Sequence, residues 1–274
     1  MTELVIKPHN KFSPGIKELW LYRELAYLFA WREIKVKYKQ AFLGFLWVIL
    51  QPLLMMLMIS YFLSGVVNVS HSEMPYFLYV LMGLNIWNLF SATVNNSVNQ
   101  IIANANIIKK IYFPRLIIPL SSMMTAIFDF VITFSMMIVI ILMTNVEMLF
   151  HFNLIYFILA ILFTLFFAFS LSILLSALVV KYRDFRYILP FFIQILFFVS
   201  PVIYDISNKI PARYQWLIFF NPMNLSIDLF RYAFEKNMIV NAQYIIYQTI
   251  FLFLFFIIGI YTFRKTEEYI ADVI

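Results

Sequence analysis

Asp129 is the one ionisable residue that lies well inside an apolar stretch of this sequence. A carboxyl group is costly in a membrane, so it is by default a candidate for proton transfer or acid catalysis. No Lys or Arg within the apolar stretches offers itself as a partner, whereas Asn95, Asn96 and Asn99 on the preceding stretch are plausible hydrogen-bond donors. We expect a neutral Asp129 bonded to such groups, with a polytopic membrane enzyme using Asp129 as the alternative.

Other residue patterns that carry chemistry are missing from the sequence. The 5 glycines are isolated, so no phosphate-binding loop of the form G-x-x-x-x-G-K-[ST] is present for ATP. The 3 histidines are scattered and the cysteine count is 0, which leaves no metal-ligand spacing and no disulfide. The apolar stretches hold no paired carboxylates and no series of acids for ion coupling. We therefore expect no metal or cofactor in this chain, and any transport must be powered by another protein.

The elements that would position such residues are membrane helices. The chain is 64% hydrophobic and only 12% charged, which is too apolar for a soluble fold to bury. A bilayer core needs about 20 apolar residues per helix. Runs free of acidic and basic residues, apart from Asp129, cover 40–72, 74–108, 116–146, 148–180, 187–204 and 237–263. The sequence thus predicts an all-α integral membrane protein with six transmembrane helices, of which 187–204 is the shortest.

The basic residues predict the orientation of these helices. With both termini in the cytoplasm, all of the 20 Lys and Arg residues lie on the cytoplasmic side except Lys209, Arg213, Arg231 and Lys236. The net charge of +6 therefore belongs to a membrane surface, and no nucleic-acid partner is expected.

Three segments differ from simple spans and connectors. Residues 16–39 place Trp20, Tyr27 and Trp31 on one helical face beside basic residues, which predicts an amphipathic helix along the membrane. Such a helix either only anchors the chain or also docks a cytoplasmic partner. The segment 104–115 is basic and then stopped by Pro114, which predicts a short helix, a turn and a new span near Arg115.

The segment 104–115 is too apolar for a plain linker, and we interpret it as an amphipathic knob for a partner's groove. Residues 205–236 are too short to span and too apolar for a free loop, so we expect re-entrant or interfacial helices near an outer cavity. The 32 Phe and 17 Tyr residues either face lipid and other helices or line a passage and stack on sugar rings.

Short motifs along the chain resemble one family when their order and spacing are taken together. They are Arg32-Glu33-Ile34-Lys35-Val36-Lys37-Tyr38-Lys39, Leu43-Gly44-Phe45-Leu46-Trp47, Gln51-Pro52, Asn106-Ile107-Ile108-Lys109-Lys110, Phe113-Pro114-Arg115, Tyr182-Arg183-Asp184, Ser200-Pro201-Val202-Ile203-Tyr204, Asn221-Pro222-Met223 and Phe230-Arg231. Over nearly its whole length the chain resembles the polysaccharide and polyol-phosphate exporter permeases of the ABC-2 transporter superfamily, which export O-antigen, teichoic acid and capsular chains.

The resemblance implies a homodimer of permeases in the bacterial cytoplasmic membrane, with two ATPase subunits that bind ATP and magnesium. It divides the chain into a cytoplasmic N-terminus with an interface helix (1–40), a six-helix domain (41–264) and a cytoplasmic tail (265–274). Within the domain, 104–115 is the segment coupled to the ATPase and 205–236 forms re-entrant helices at the outer exit.

The resemblance also implies site residues, in four groups. Those coupled to the ATPase are Asn106, Ile107, Ile108, Lys109, Lys110, Tyr112 and Arg115. Those of the interface helix are Arg23, Trp31, Arg32, Lys35 and Lys37. The substrate path is assigned to Phe42, Trp47, Trp87, Phe90, Phe197 and Tyr204, and the outer gate to Trp216, Asn221 and Pro222.

The function expected from this resemblance is export of a lipid-linked polysaccharide or polyol-phosphate polymer by a transport subunit that is not itself an enzyme. Its partners are the ATPase, a second copy of the chain, membrane lipid and the lipid-linked glycan. An ABC-2 permease for a drug, a lipid or a small hydrophobic molecule is the alternative within transport.

Overall fold

The computed structural model describes residues 15–39, 44–65, 74–144, 152–182, 184–204, 220–235 and 240–273, without the side chains of Ile16 and of the residues after Glu267. These residues form ten helices and no strand. The helices are α1 (Ile16–Leu21), α2 (Arg23–Lys39), α3 (Leu46–Leu63), α4 (Tyr76–Ala103), α5 (Ala105–Lys110), α6 (Ile117–Met143), α7 (Leu154–Lys181), α8 (Phe185–Val199), α9 (Pro222–Tyr232) and α10 (Ala242–Val273). Phe42 and Trp216, two of the predicted site residues, lie outside the described residues.

Five of the described helices are long and apolar enough to cross a membrane, namely α3, α4, α6, α7 and α10. Each occupies one of the charge-free runs, because a helix is the simplest way to bond every backbone group inside lipid. The remaining run, 187–204, overlaps α8, which has 15 residues. At 1.5 Å per residue α8 is about 22 Å long, less than the roughly 30 Å of a bilayer core.

Helix α4 is the centre of the bundle. In its most apolar window 78% of the residues are buried, against 11% in α3. Helix α4 packs against α3, α6, α7 and α9. Its buried hydroxyls bond within the helix, since Thr93 Oγ1 donates to Leu89 O and Ser97 Oγ to Thr93 O. Such internal bonds let polar side chains lie in an apolar core at little cost.

A smaller apolar core joins the ends of several helices around α5, and we call it the α5-end core. Its buried residues are Ala26, Ile101, Ile108, Phe113, Leu116, Ile117, Ile118, Ile173, Ala177, Val180, Ile260 and Phe263. They come from α2, α4, α5, α6, α7 and α10 and from the turn before α6. The short helix α5 is therefore fixed to the ends of four membrane-length helices.

The predicted amphipathic helix 16–39 is two helices, because the chain turns at Tyr22 between α1 and α2. Helix α2 packs on α6 with its small side chains Ala26 and Ala30 buried. Glu33 contacts Thr125, and four residues later on each helix Lys37 contacts Asp129. The two helices therefore run in the same direction. Helix α2 thus runs beside α6 as far as the middle of α6, whereas the prediction was a helix that lies along the membrane.

Helix α9 is held in the bundle by a buried arginine. Arg231 is 3% exposed, and its Nη2 donates to Tyr79 O at 3.0 Å and Val202 O at 3.1 Å. Its guanidinium carbon lies 3.4 Å from the centre of the Tyr79 ring. Gly83 leaves the room for this contact, because a Cβ there would lie 2.8 Å from Arg231 Nη2 and from Val202 O.

Candidate functional site

A polar groove runs along one face of α4 between α3, α8 and the middle of α6, and we call it the amide groove. Two cavities of about 260 and 360 Å³ form it, and they share Gln51, Pro52, Asn88, Ser91 and Asn95. The three α4 residues follow one another at spacings of three and four, so they lie on one face of the helix. A polar strip therefore crosses an otherwise apolar bundle.

The amide side chains in this groove are available for a ligand. They are Gln51, Asn88, Asn95, Asn96 and Gln194. None of the five bonds to another group within the described residues. The Asn104 amide, by contrast, is bonded: its side chain accepts from Arg32 Nη2 at 2.6 Å and donates to Gln100 O at 2.9 Å. Each unbonded amide offers two donors and one acceptor to a molecule in the groove.

Asp129 and Lys37 form an ion pair at one wall of the amide groove. Asp129 Oδ2 lies 2.5 Å from Lys37 Nζ, and Asp129 Oδ1 accepts from the Tyr38 hydroxyl. The expected partners Asn95, Asn96 and Asn99 are therefore wrong. The true partner lies outside the apolar runs, because the end of α2 carries it to the middle of α6.

Two further contacts fasten α2 beside the groove. Glu33 Oε2 accepts from Thr125 Oγ1 at 3.2 Å, and Arg32 donates to the side chain of Asn104 at the end of α4. Burial raises the pKa of the Glu33 carboxyl above its ordinary value, and this effect outweighs the hydrogen bonds from Thr125 and Gln100. Burial and the neighbouring Asp129 likewise raise the pKa of the Tyr38 hydroxyl.

The remaining interface residues carry cations beside aromatic rings on the outer surface of α1 and α2. Arg23 lies 5.2 Å from the Trp20 ring centre and Lys35 lies 5.3 Å from that of Trp31. Trp31 stacks on Tyr27 with ring centres 6.3 Å apart. These rings are exposed, so the amphipathic pattern turns its aromatic face outward and not into the core. Exposed rings beside cations suit the headgroup zone of a membrane.

The aromatic residues assigned to the substrate path have different positions. Trp47 lines the smaller cavity, and Trp87 and Phe197 line the larger one, with their rings 5.3 Å apart. Phe90 is fully buried and stacks on Phe167, so its ring lies in the core and lines neither cavity. The Tyr204 hydroxyl donates to Phe198 O beyond the end of α8.

The predicted coupling segment forms an exposed surface around α5, as the stop at Pro114 predicts. Asn106, Lys109 and Lys110 are exposed, and beside them Ile111 is 61% and Tyr112 56% exposed. We call the surface formed by these five residues the α5 knob. It can insert one apolar and one aromatic side chain between basic residues into another protein.

The other predicted coupling residues face the chain itself. Ile107 is partly buried and Ile108 is buried in the α5-end core. The Arg115 backbone N–H donates to Glu267 Oε1 at 3.4 Å, and the other oxygen of Glu267 accepts from Arg264 Nη1 at 2.5 Å. The continuation of α10 past its apolar part therefore braces the turn between α5 and α6.

At the other end of the bundle, Asn221 and Pro222 of the assigned outer gate start α9. Asn221 Oδ1 accepts from the Met223 N–H at 3.1 Å, as an N-cap does, and its Nδ2 donates to Ser200 Oγ at 2.9 Å. Pro222 occupies the first turn of α9, where a missing N–H costs nothing. These two residues tie α9 to the end of α8.

The sequence is similar to a known family and to several known proteins. The sequence profile of the ABC-2 type transporter family matches residues 24–234. The chain is 33% identical over 244 residues to the O-antigen export system permease protein RfbA of Klebsiella pneumoniae, covering 89% of this chain and 92% of the relative. It is 28% identical to the protein of the same name from Myxococcus xanthus, covering 83% and 86%. It is 25% identical to the polysialic acid transport protein KpsM of Escherichia coli, covering 86% and 91%.

Proposed function

The chain belongs to the ABC-2 type transporter family, and from this premise we propose that it moves a lipid-linked glycan across the membrane. It is the permease subunit of a polysaccharide exporter and a multi-pass protein of the inner membrane. It is a transport subunit and not an enzyme, and an ATP-binding partner supplies the energy. In this proposal ATP and magnesium bind to that partner.

The observation that carries the proposal is the amide groove. A strip of unbonded amides is costly within apolar helices unless it meets water or a polar cargo. Sugar hydroxyls both donate and accept, so they match amide groups. Phe197, which is partly exposed at the wall of the larger cavity and packs on the buried Trp87, offers a ring against which the apolar face of a sugar can pack.

A second copy of the chain closes the groove in this proposal. Helix α3 borders the groove, and the chain itself buries only 11% of the residues in the most apolar window of α3. A polar groove open toward lipid is unfavourable, whereas a copy of the same chain brings an equally polar groove to face it. The cargo then passes between the two copies.

The chain crosses the membrane six times in this proposal, with both termini in the cytoplasm. Helix α8 alone is too short to cross the membrane. In this proposal α8 and the turn after it, which Asn221 ties to α9, make the crossing together. The distribution of basic residues then places the α5 knob in the cytoplasm, where it meets the ATPase.

The test is export in a host strain from which the gene has been deleted, with glycan at the cell surface as the readout. The wild-type chain restores surface glycan, and Asn88→Leu, which removes an amide from the shared wall of both cavities, reduces it several-fold. Ser135→Leu is the control, because Ser135 is exposed on α6 away from the groove. Surface glycan that does not depend on this chain at all contradicts the proposal.

A further inference from the structure

We infer that the amide groove selects an uncharged, hydroxyl-rich stretch of glycan and disfavours a polyanionic one. This inference rests on the proposed function and narrows its substrate class from any polysaccharide or polyol phosphate to a neutral sugar chain. It follows from the hydrogen-bonding capacity and the charge of the residues that line the groove.

The hydrogen-bonding capacity favours hydroxyl groups over phosphate or carboxylate groups. The five unbonded amides each present a carbonyl oxygen as well as an NH₂ group. A hydroxyl can donate to the first and accept from the second. An ionised phosphate or carboxylate only accepts, so it would leave the five carbonyl oxygens unmatched and would lie close to their negative ends.

The charge of the groove leads to the same class of ligand. Among the described residues that line the two cavities, Lys37 and Asp129 are the only charged ones. They are bonded to each other at 2.5 Å, so their charges cancel. Passages for anions are lined by unpaired Arg or Lys side chains, which this wall does not provide. A polyanion entering the groove would lose water without gaining a cation.

In our inference Asp129 keeps the groove neutral, because its carboxylate balances the charge of Lys37. Its side chain is 14% exposed and that of Lys37 is 42% exposed, so the carboxylate is the fixed partner and the ammonium is the mobile one. Removal of the carboxylate leaves the Lys37 ammonium without its bonded anion at the wall of the smaller cavity. The same groove then attracts anions, which makes the inference testable in both directions.

The experiment uses the protection of a single thiol, which is clean because the chain has 0 cysteines. Ser91 lines both cavities, so Ser91→Cys places a thiol in the groove and keeps all five amides. The full chain, purified with its ATPase partner, is alkylated in the presence of a neutral maltooligosaccharide or of an oligosialic acid with the same number of residues. Ile155→Cys, an exposed site at the start of α7, is the control.

The expected result is that the neutral oligosaccharide slows alkylation of Ser91→Cys several-fold while oligosialic acid does not, and that neither changes Ile155→Cys. Adding Asp129→Asn makes oligosialic acid protective, and added salt removes this gain because the attraction is electrostatic. The further change Lys37→Gln restores neutrality and abolishes protection by oligosialic acid again. Near-ultraviolet circular dichroism of each variant checks that the fold is kept.

Two results overturn the inference. One is equal or stronger protection by oligosialic acid in Ser91→Cys alone, which means that the groove accepts polyanions. The other is no protection by either probe, which means that the groove does not hold sugar. In both cases the proposed function still stands if surface glycan depends on the chain in the deletion strain, so the two failures are distinguishable.

Discussion

At the scale of single residues, the contact between Gly83 and Arg231 shows how a buried cation is accommodated. Arg231 donates to two backbone carbonyls and lies on the Tyr79 ring. Both interactions need the close approach that only a glycine at position 83 permits. An arginine in this place joins α9 to α4, and the fit between them is sensitive to a single methyl group.

Gly83→Ala is therefore expected to destabilise the protein by about 1–3 kcal/mol, the usual cost of overpacking a well-packed core. Its Cβ would lie 2.8 Å from Arg231 Nη2 and from Val202 O, which is closer than a Cβ atom approaches other heavy atoms in folded proteins. The measurement is the midpoint of thermal unfolding in detergent, followed by circular dichroism. Gly65→Ala is the matched control, because a Cβ there meets nothing within 4 Å; equal effects of the two changes would contradict the steric argument.

The sequence predicts individual residues only where local chemistry decides. Pro114 stops a helix because its effect acts within a few residues of the chain. The bond between Lys37 and Asp129 joins residues 92 positions apart, and a search for partners inside the apolar runs cannot find it. Phe90 and Trp87 are both aromatic residues of α4 and both are buried, and only packing decides that Trp87 lines a cavity and Phe90 does not.

At the scale of elements, α2 is held against α6 partly by a buried carboxyl group. Burial raises the pKa of Glu33 above its ordinary 4.5, so the folded protein binds this proton more tightly than the unfolded chain does. The contribution of Glu33 to the free energy of unfolding is therefore greatest below its ordinary pKa and is lost as the pH rises through the raised value. Lys37 and Asp129 are the charged groups that act on it.

Glu33→Gln is expected to remove this part of the pH dependence. Unfolding midpoints measured from about pH 4 to pH 8, a range that covers the ordinary pKa of Glu, should fall less steeply with rising pH in Glu33→Gln than in the wild type. Glu24→Gln removes an exposed carboxyl from the same helix and serves as the control. A Glu33→Gln protein with the same slope as the wild type would show that α2 does not bury this carboxyl in solution.

The α5 knob is an element built for contact, since its apolar and aromatic members are exposed while its base is locked into the α5-end core. Replacing one basic and one aromatic residue of the α5 knob, as in Lys110→Glu with Tyr112→Asp, is expected to lower surface glycan strongly while the partner still hydrolyses ATP. Loss of one aromatic anchor typically costs about 2 kcal/mol or more of binding, roughly a 30-fold change in affinity.

The readouts for this double variant are surface glycan, ATP hydrolysis and the amount of ATPase that copurifies with the chain. Lys265→Glu is the control, because it reverses an exposed charge outside the α5 knob. Lys265 is the neighbour of Arg264, which bonds Glu267. Normal export by the double variant would mean that force enters the permease elsewhere.

At the scale of the whole molecule, the charge-free runs predict the five membrane-length helices and α8, because each run overlaps one of them. The segment 104–115 holds the short helix α5, and the segment 16–39 is helical but divided into α1 and α2. The reason is that lipid admits few alternatives to a helix. The runs alone do not predict which helix lies at the centre, because the runs 40–72 and 74–108 have similar lengths, whereas burial depends on which neighbours cover α3 and α4.

Helix α4 has a mechanical consequence for the whole molecule. It has 28 residues without an internal proline, about 42 Å of continuous helix at 1.5 Å per residue. One end adjoins α5 through Asn104, and its middle carries Asn88 and Asn95 into the amide groove. In our proposal, a displacement of the α5 knob by the ATPase moves α4 as one continuous helix, and the contacts between the amide groove and the glycan change at the same time.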